Sequence, residues 1–312
     1  MYISDEKVID YLGLVLLLFL PLLGIALNLW GWFLEILIML AVFVAIRRHG
    51  PGRAMLFLGA GYVLPLIIRG LSASAHMSFV PWAAMLAGLG LQRLWPQRVV
   101  YFWSLVLAGV LGSLPFVNIV FQSLETQSIK DFTNYALEFY RSSGMLSVIQ
   151  QQGVDESQLR LFLEQYLPFY VMLTPAFAAL ASMLEFGVVA YFARRWFYKN
   201  EGMVPFARWR LPWYAIWGAI LALASYLLGD ELAWHALRGV GLNLMVVYVA
   251  LAMVIGISVY LYFLQSPQVP RFLKWMLILV NLFYFFFSFV SIIMFGLFDM
   301  VLNFRKLPES KG

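Results

Sequence analysis

Glu35 interrupts the apolar run WGWFLEILIMLAVFVAI, and Arg69 closes the run GYVLPLIIR. An ionised side chain inside hydrocarbon costs about 2.5–3.5 kcal/mol on insertion scales, so it persists where it has a partner or a task. Glu35 and Arg69 offer an acid and a base to the charged groups of a small polar ligand. They could equally pair with each other, or Arg69 could extend its guanidinium to the headgroups. Asn118 and Asn243 could add hydrogen bonds to the same cavity, or could bond one helix to another. Glu185 precedes Arg194 and Arg195 by two to three helical turns. It reads as half of an ion pair on that side of the membrane, or as a contact with a partner subunit. Asp299 lies close in sequence to Arg305 and Lys306, where a local pair is the expectation.

Other chemistries find no constellation. Cysteine is absent, which excludes disulfides, thiolate metal sites and cysteine nucleophiles. His49, His76 and His235 show no H-E-x-x-H spacing, so no metal or other cofactor is expected. No G-x-x-x-x-G-K-[ST] or G-x-S-x-G occurs, and no nucleophile–base arrangement suggests an enzyme.

The elements that must position these residues follow from composition. The chain has 312 residues, 63% hydrophobic and 12% charged, with a mean hydropathy of +0.84. A soluble domain cannot bury so large an apolar share. Runs of about 18 or more apolar residues recur, each long enough to cross roughly 30 Å of hydrocarbon as a helix. The expectation is an all-α, polytopic transmembrane bundle of 8–10 helices, one integral membrane domain over residues 1–312. The N-terminal stretch lacks the features of a cleaved signal and reads as a first membrane helix.

The run 11–46 is too long for one span and should turn near Asn28–Gly31. Further spans are expected over about 54–68, 77–91, 99–121, 166–192, 213–228 and 240–264. The last apolar stretch, 272–304, should bend near Gly296 or fold as two short helices. Between the fifth and sixth spans, about residues 122–164, an acidic and amphipathic helical insert is expected. Its Ile129, Phe132, Ala136 and Phe139 fall at helical spacing, and Asp155 to Gln158 resembles a capping box.

The net charge of +5 lies in short loops, which argues for membrane orientation and against a nucleic-acid partner. Residues 47–53, 92–98 and 193–210 are cationic and fall on one face, which should be cytoplasmic. The last of these, within ARRWFYKNEGMVPFARWRLPW, sets Arg194, Arg195, Lys199, Arg208 and Arg210 against Glu201. Besides orienting the chain, its cations could dock a partner.

Pro205-Phe206, Trp209-Arg210-Leu211-Pro212 and the closing Gly296, Asp299, Asn303, Phe304, Arg305 and Lys306 resemble the YybS-like family of bacterial inner-membrane proteins, whose function is unknown. That family is distantly similar to the substrate-binding S subunits of energy-coupling factor transporters. The resemblance implies a multi-pass protein of the bacterial cytoplasmic membrane, capturing a small molecule without its own ATPase and meeting a coupling partner. The alternative is an envelope scaffold or regulator acting through protein or lipid partners beyond the surrounding bilayer.

Overall fold

No water reaches hydrocarbon to satisfy a peptide group, so each long apolar run must close its own hydrogen bonds as a helix. The structure, a computed structural model, describes residues 5–27, 31–70, 77–123, 126–197 and 204–307. Among them are twelve helices and no strand: α1 (Asp5–Ala26), α2 (Trp32–His49), α3 (Pro51–Arg69), α4 (Pro81–Gln92), α5 (Gln97–Ser123), α6 (Thr126–Ser142), α7 (Met145–Gln151), α8 (Glu156–Phe197), α9 (Ile216–Glu231), α10 (His235–Gln265), α11 (Arg271–Phe283) and α12 (Phe285–Leu302). Five apolar stretches, in α3, α5, α8, α9 with its leading turn, and α10, are long enough to cross a membrane by length and composition. Shorter apolar stretches lie in α1 and α12. Leu56, Ile67 and Leu184 are each about two-thirds or more exposed, a surface suited to lipid rather than water. The fold is a helical membrane bundle.

Two contacts fix the course of the first helices. The Tyr11 ring stacks on His49 at 5.1 Å, joining the start of α1 to the end of α2. Arg69 donates to the Ile25 carbonyl at 3.1 Å, joining the ends of α1 and α3. Thus α1 and α3 run parallel, with α2 opposed. The ends bearing Arg47, Arg48, Arg93, Arg98, Arg194 and Arg195 then share one side, the basic end. The expected turn at Asn28 falls on residues 28–30, which lie outside the described residues, as do His76, Lys199 and Glu201.

The spine is α8, whose 42 residues give about 63 Å at 1.5 Å per residue, roughly twice the hydrocarbon thickness. Gly109 meets Met183, and Gly112 meets Ser182. Further along, Arg160 donates to Asn134 at 2.8 Å and Arg141 pairs with Glu156. These pairings keep one antiparallel register, so α6 continues the path of α5 beside the outer third of α8. The second amphipathic segment of the insert runs on into the next span as the start of α8, and the insert differs from expectation in having α7 as an additional short helix.

The expected span at 77–91 is shorter than foreseen, because residues 77–80 are not helical and α4 has only 12 residues. Tyr62 donates to the Ser78 carbonyl at 2.6 Å, which draws this segment back to the level of mid-α3.

The chain end folds as two helices, the second of the two expected arrangements, with the break between α11 and α12 at Tyr284 and no bend at Gly296. Gly296 lies inside α12, where its backbone closely approaches Ala252 and Gly256, while Gly256 closely approaches Ile292. The Tyr262 hydroxyl reaches the Arg305 carbonyl at 3.4 Å, so the ends of α10 and α12 coincide. The two helices run parallel, and Arg305 and Lys306 join the basic end.

A Cβ at Gly296 would strike backbone atoms that cannot rotate away. Gly296→Ala should therefore cost about 1–3 kcal/mol through overpacking. Gly59→Ala, which meets only open space, should be neutral or mildly stabilising. Equilibrium unfolding of both variants in mixed micelles checks the contrast, and equal stabilities would contradict the close approach.

Candidate functional site

Glu35 lies on α2, 12 residues from Arg47, and Glu185 lies on α8, nine residues before Arg194. At 1.5 Å per residue both stand about 14–18 Å above the basic end. Their carboxyl groups meet at hydrogen-bonding range, and Glu35 also reaches the Ser78 hydroxyl. Both side chains are half-buried. One Glu185 oxygen, Oε2, is buried with no hydrogen-bond partner among the described residues.

The non-helical segment 77–80 forms the third wall. Its backbone is held by the buried Tyr62 hydroxyl on the Ser78 carbonyl and by Val80 N–H donating to Ser78 Oγ at 3.3 Å. The Tyr62 ring stacks on Phe79 at 5.3 Å and tilts against Trp82 at 6.0 Å, so it fixes both sides of the break. Irregular backbone at membrane depth is tolerated where protein or a polar cavity surrounds it. The first turn of α4 follows immediately: Pro81 has no N–H, and the N–H groups of Trp82 and Ala83 donate to the Phe79 and Val80 carbonyls.

Two ionised carboxylates in contact repel by a few kcal/mol, on the order of 4 kcal/mol at about 4 Å and an effective dielectric of roughly 20. A proton or a cation between them removes that repulsion. The donor set is hard oxygen, two carboxyls and a hydroxyl, suited to a small cation or an ammonium group. Among the described residues, no three His, Cys, Asp or Glu side chains gather as a metal cluster.

The arrangement differs from the expected Glu35–Arg69 cavity. Glu35 faces Ser78 and Glu185, while Arg69 stands two turns above Tyr62, exposed, on the Ile25 carbonyl. Glu185 was expected to meet a cation near the basic end or to contact a partner subunit. Arg194 and Arg195 lie about 14 Å away along the helix axis, whereas the Glu35 carboxyl is adjacent. Arg194 is buried and Arg195 exposed; Arg210 is half-buried, with an Nε that has no hydrogen-bond partner among the described residues. Asn118 belongs to α5 near the far end, and its side chain lies outside the described residues.

Asn243 repairs a helix. Pro175 has no N–H to donate, and its ring disturbs the helical bonds of the preceding turn in α8. Asn243 Oδ1 accepts from Ala176 N–H at 2.8 Å, and its Nδ2 donates to the Met172 carbonyl at 2.8 Å. Those two groups are the ones an unbroken helix would have joined. Nδ2 also donates to Gly239 O at 2.9 Å, so both amide hydrogens are engaged. The Val171 carbonyl, left free by the proline, accepts from Thr174 Oγ1 at 2.6 Å.

The Asp299–Arg305 pair is present and fully buried, at 2.7 Å. Sequence distance suggested a local pair; it gave no sign that Arg305 also clasps the loop before α9. Arg305 donates to the carbonyls of Ala207 at 2.7 Å and Trp209 at 2.6 Å, and to Ser258 Oγ at 2.8 Å. Ser258 donates onward to the Phe206 carbonyl at 2.6 Å. Removing one member of such a pair strands a buried charge. Arg305→Met should cost about 3–5 kcal/mol in unfolding measurements, and Asp299→Leu combined with Arg305→Met should cost less than Arg305→Met alone. Equal losses in the single and double variants would contradict the pairing.

No curated protein and no solved structure matches the chain. Residues 12–300 match the family described as Predicted membrane protein (DUF2232), and the chain belongs to that family.

Proposed function

We propose that this chain is a transport-related subunit of the bacterial cytoplasmic membrane that binds a small cationic solute at the Glu35–Glu185 pair. One observation carries the reading: two carboxyls on α2 and α8 meet at the non-helical segment 77–80, inside the bundle. Intramembrane acids mark solute or ion pathways more often than scaffolding. By analogy, broken-helix transporters place their sites at such interruptions. The resemblance to YybS-like proteins and to S subunits supports a capture subunit, and the absence of a P-loop implies energy from a partner. Arg69 and Asn118 stand nearer the far end, where an entering solute would pass. The exposed Arg195, Trp196, Arg208 and Trp209 at the basic end suit a coupling partner.

The test is thermal unfolding of the purified full chain against sodium, potassium, magnesium and a primary amine. One cation class should raise the midpoint, by the equivalent of about 2.7 kcal/mol at a hundred times its Kd. Glu35→Gln combined with Glu185→Gln should abolish that shift. No shift in the natural chain, or an unchanged shift in the double variant, would sink the reading.

A second reading, an envelope scaffold or regulator, is favoured by α6. Its Phe132, Tyr135 and Phe139 form a stripe at i, i+3 and i+7 and are exposed, beside the part of α8 that outlasts the bilayer. A photo-crosslinker at Tyr135 should then give reproducible protein adducts in cells, with Glu35→Gln leaving activity intact. Adducts to lipid alone would count against it.

A further inference from the structure

Arg210 lies in the loop before α9, between two residues that the bundle holds in place. The Trp209 carbonyl accepts from Arg305 at 2.6 Å, and Leu211 packs on the core formed by Ala252, Ile255, Val259 and Met300. The backbone that carries Arg210 is therefore fixed on both sides. Its guanidinium is not answered in the same way. Nε is buried with no hydrogen-bond partner among the described residues, and the ion pairs found among them leave Arg210 out. A buried donor on a charged group is more costly to leave unmet than a neutral one, so an acceptor belongs there. The depth of the site follows from its neighbours. Trp209 and Trp213 flank Arg210 and are exposed, and indole rings gather at the level of the lipid headgroups. From this point α9 with its leading turn, the most exposed of the five membrane-length stretches, runs into the bilayer. Its exposed Trp213, Trp217 and Leu221 fall at i, i+4 and i+8, along one face.

We propose that Arg210 binds the phosphate of a phospholipid from the leaflet at the basic end, with Nε–H and an adjacent Nη–H each donating to one phosphate oxygen. The planar fork of a guanidinium matches two oxygens of a phosphate, and both hydrogen bonds are charge-assisted. The N-terminal end of α9 and its leading turn faces the same side and adds partial positive charge. Free phosphate offers the same oxygens, but two features single out a lipid. The flanking indoles set the guanidinium at headgroup depth, and the exposed α9 face gives the acyl chains an apolar path leading away from it. Because the loop is locked by Arg305 and Leu211, the guanidinium is presented with little ordering cost on binding. The proposal is independent of the carboxyl pair and of any transported solute.

Native mass spectrometry of the purified full chain, offered phosphatidylglycerol and diacylglycerol with identical chains, tests it. The natural chain should retain one phosphatidylglycerol in preference. Arg210→Gln should lower that preference about tenfold, as charge-assisted hydrogen bonds to the phosphate are lost. Arg210→Lys, which keeps the charge and loses the fork, should fall between the two. Arg53→Gln, which removes an exposed cation at the same end, should lower it much less. Equal retention of the two lipids, or equal losses in Arg210→Gln and Arg53→Gln, would overturn the proposal in favour of diffuse attraction to the membrane surface. Greater retention in Glu201→Gln than in the natural chain would also overturn it, by showing Arg210 already held by a carboxylate of its own chain. Thermal unfolding with inorganic phosphate separates the two sources of the anion. No Arg210-dependent rise in the midpoint is expected at millimolar phosphate, and such a rise without lipid retention would overturn the lipid as the ligand.

Discussion

Every peptide group placed in hydrocarbon must find its hydrogen-bond partner within the protein, and the rest of this structure follows from that constraint. It makes the apolar runs helical, and it also decides what happens where a helix fails. At Pro175 three groups of α8 are set free: Asn243 of α10 takes up Ala176 N–H and the Met172 carbonyl, and the neighbouring Thr174 takes up the Val171 carbonyl. At residues 77–80 the backbone is not helical, and Tyr62 and Ser78 answer for it. At the basic end the carbonyls of Ala207 and Trp209 turn to a buried guanidinium. Asn243, Tyr62 and Arg305 thus each sit where backbone order is interrupted.

Seen this way, the half-buried Glu35–Glu185 pair is set apart from Asn243, Arg305 and Tyr62. Asn243, Arg305 and Tyr62 each satisfy a backbone group, and their presence is explained by the fold. The two glutamates satisfy no backbone group that the described contacts show, and ionised together they would repel each other beside the non-helical segment 77–80. Two acids in contact destabilise a bundle unless something positive joins them. That imbalance separates a site from a brace, and it is why the functional reading rests on this pair and not on the better-connected Arg305.

The sequence made the fold class plain because hydrocarbon length and apolarity leave little choice of secondary structure. The basic turns at 47–53 and 92–98 located the helix ends, and Asp299–Arg305 was visible as a near neighbour pair. Partners across the bundle were harder to read. A Glu35–Arg69 pair was one reading open to neighbouring helices, beside a shared ligand or an Arg69 extended to the headgroups, yet helix rotation turns Glu35 toward α8, 150 positions further along. The Asn243 role was half legible: Pro175 signals a broken turn, but nothing in the spacing says which helix supplies the amide. The break at Tyr284 carried no proline or glycine, whereas Gly296, which looked like a hinge, proved to be a contact point.

The Arg305 clasp has a consequence for biogenesis. The loop it holds is synthesised about a hundred residues earlier, so that loop emerges with its carbonyls unanswered while α9 to α12 are still being made. The C-terminal half of the bundle cannot lock as each span is released; it must wait for the final helix to arrive alongside α10. Until then the half-made protein presents polar backbone at the membrane surface, a state that quality-control proteases are able to recognise. Translation pauses or truncations before Arg305 would therefore act on the survival of the whole C-terminal half rather than on its last few residues.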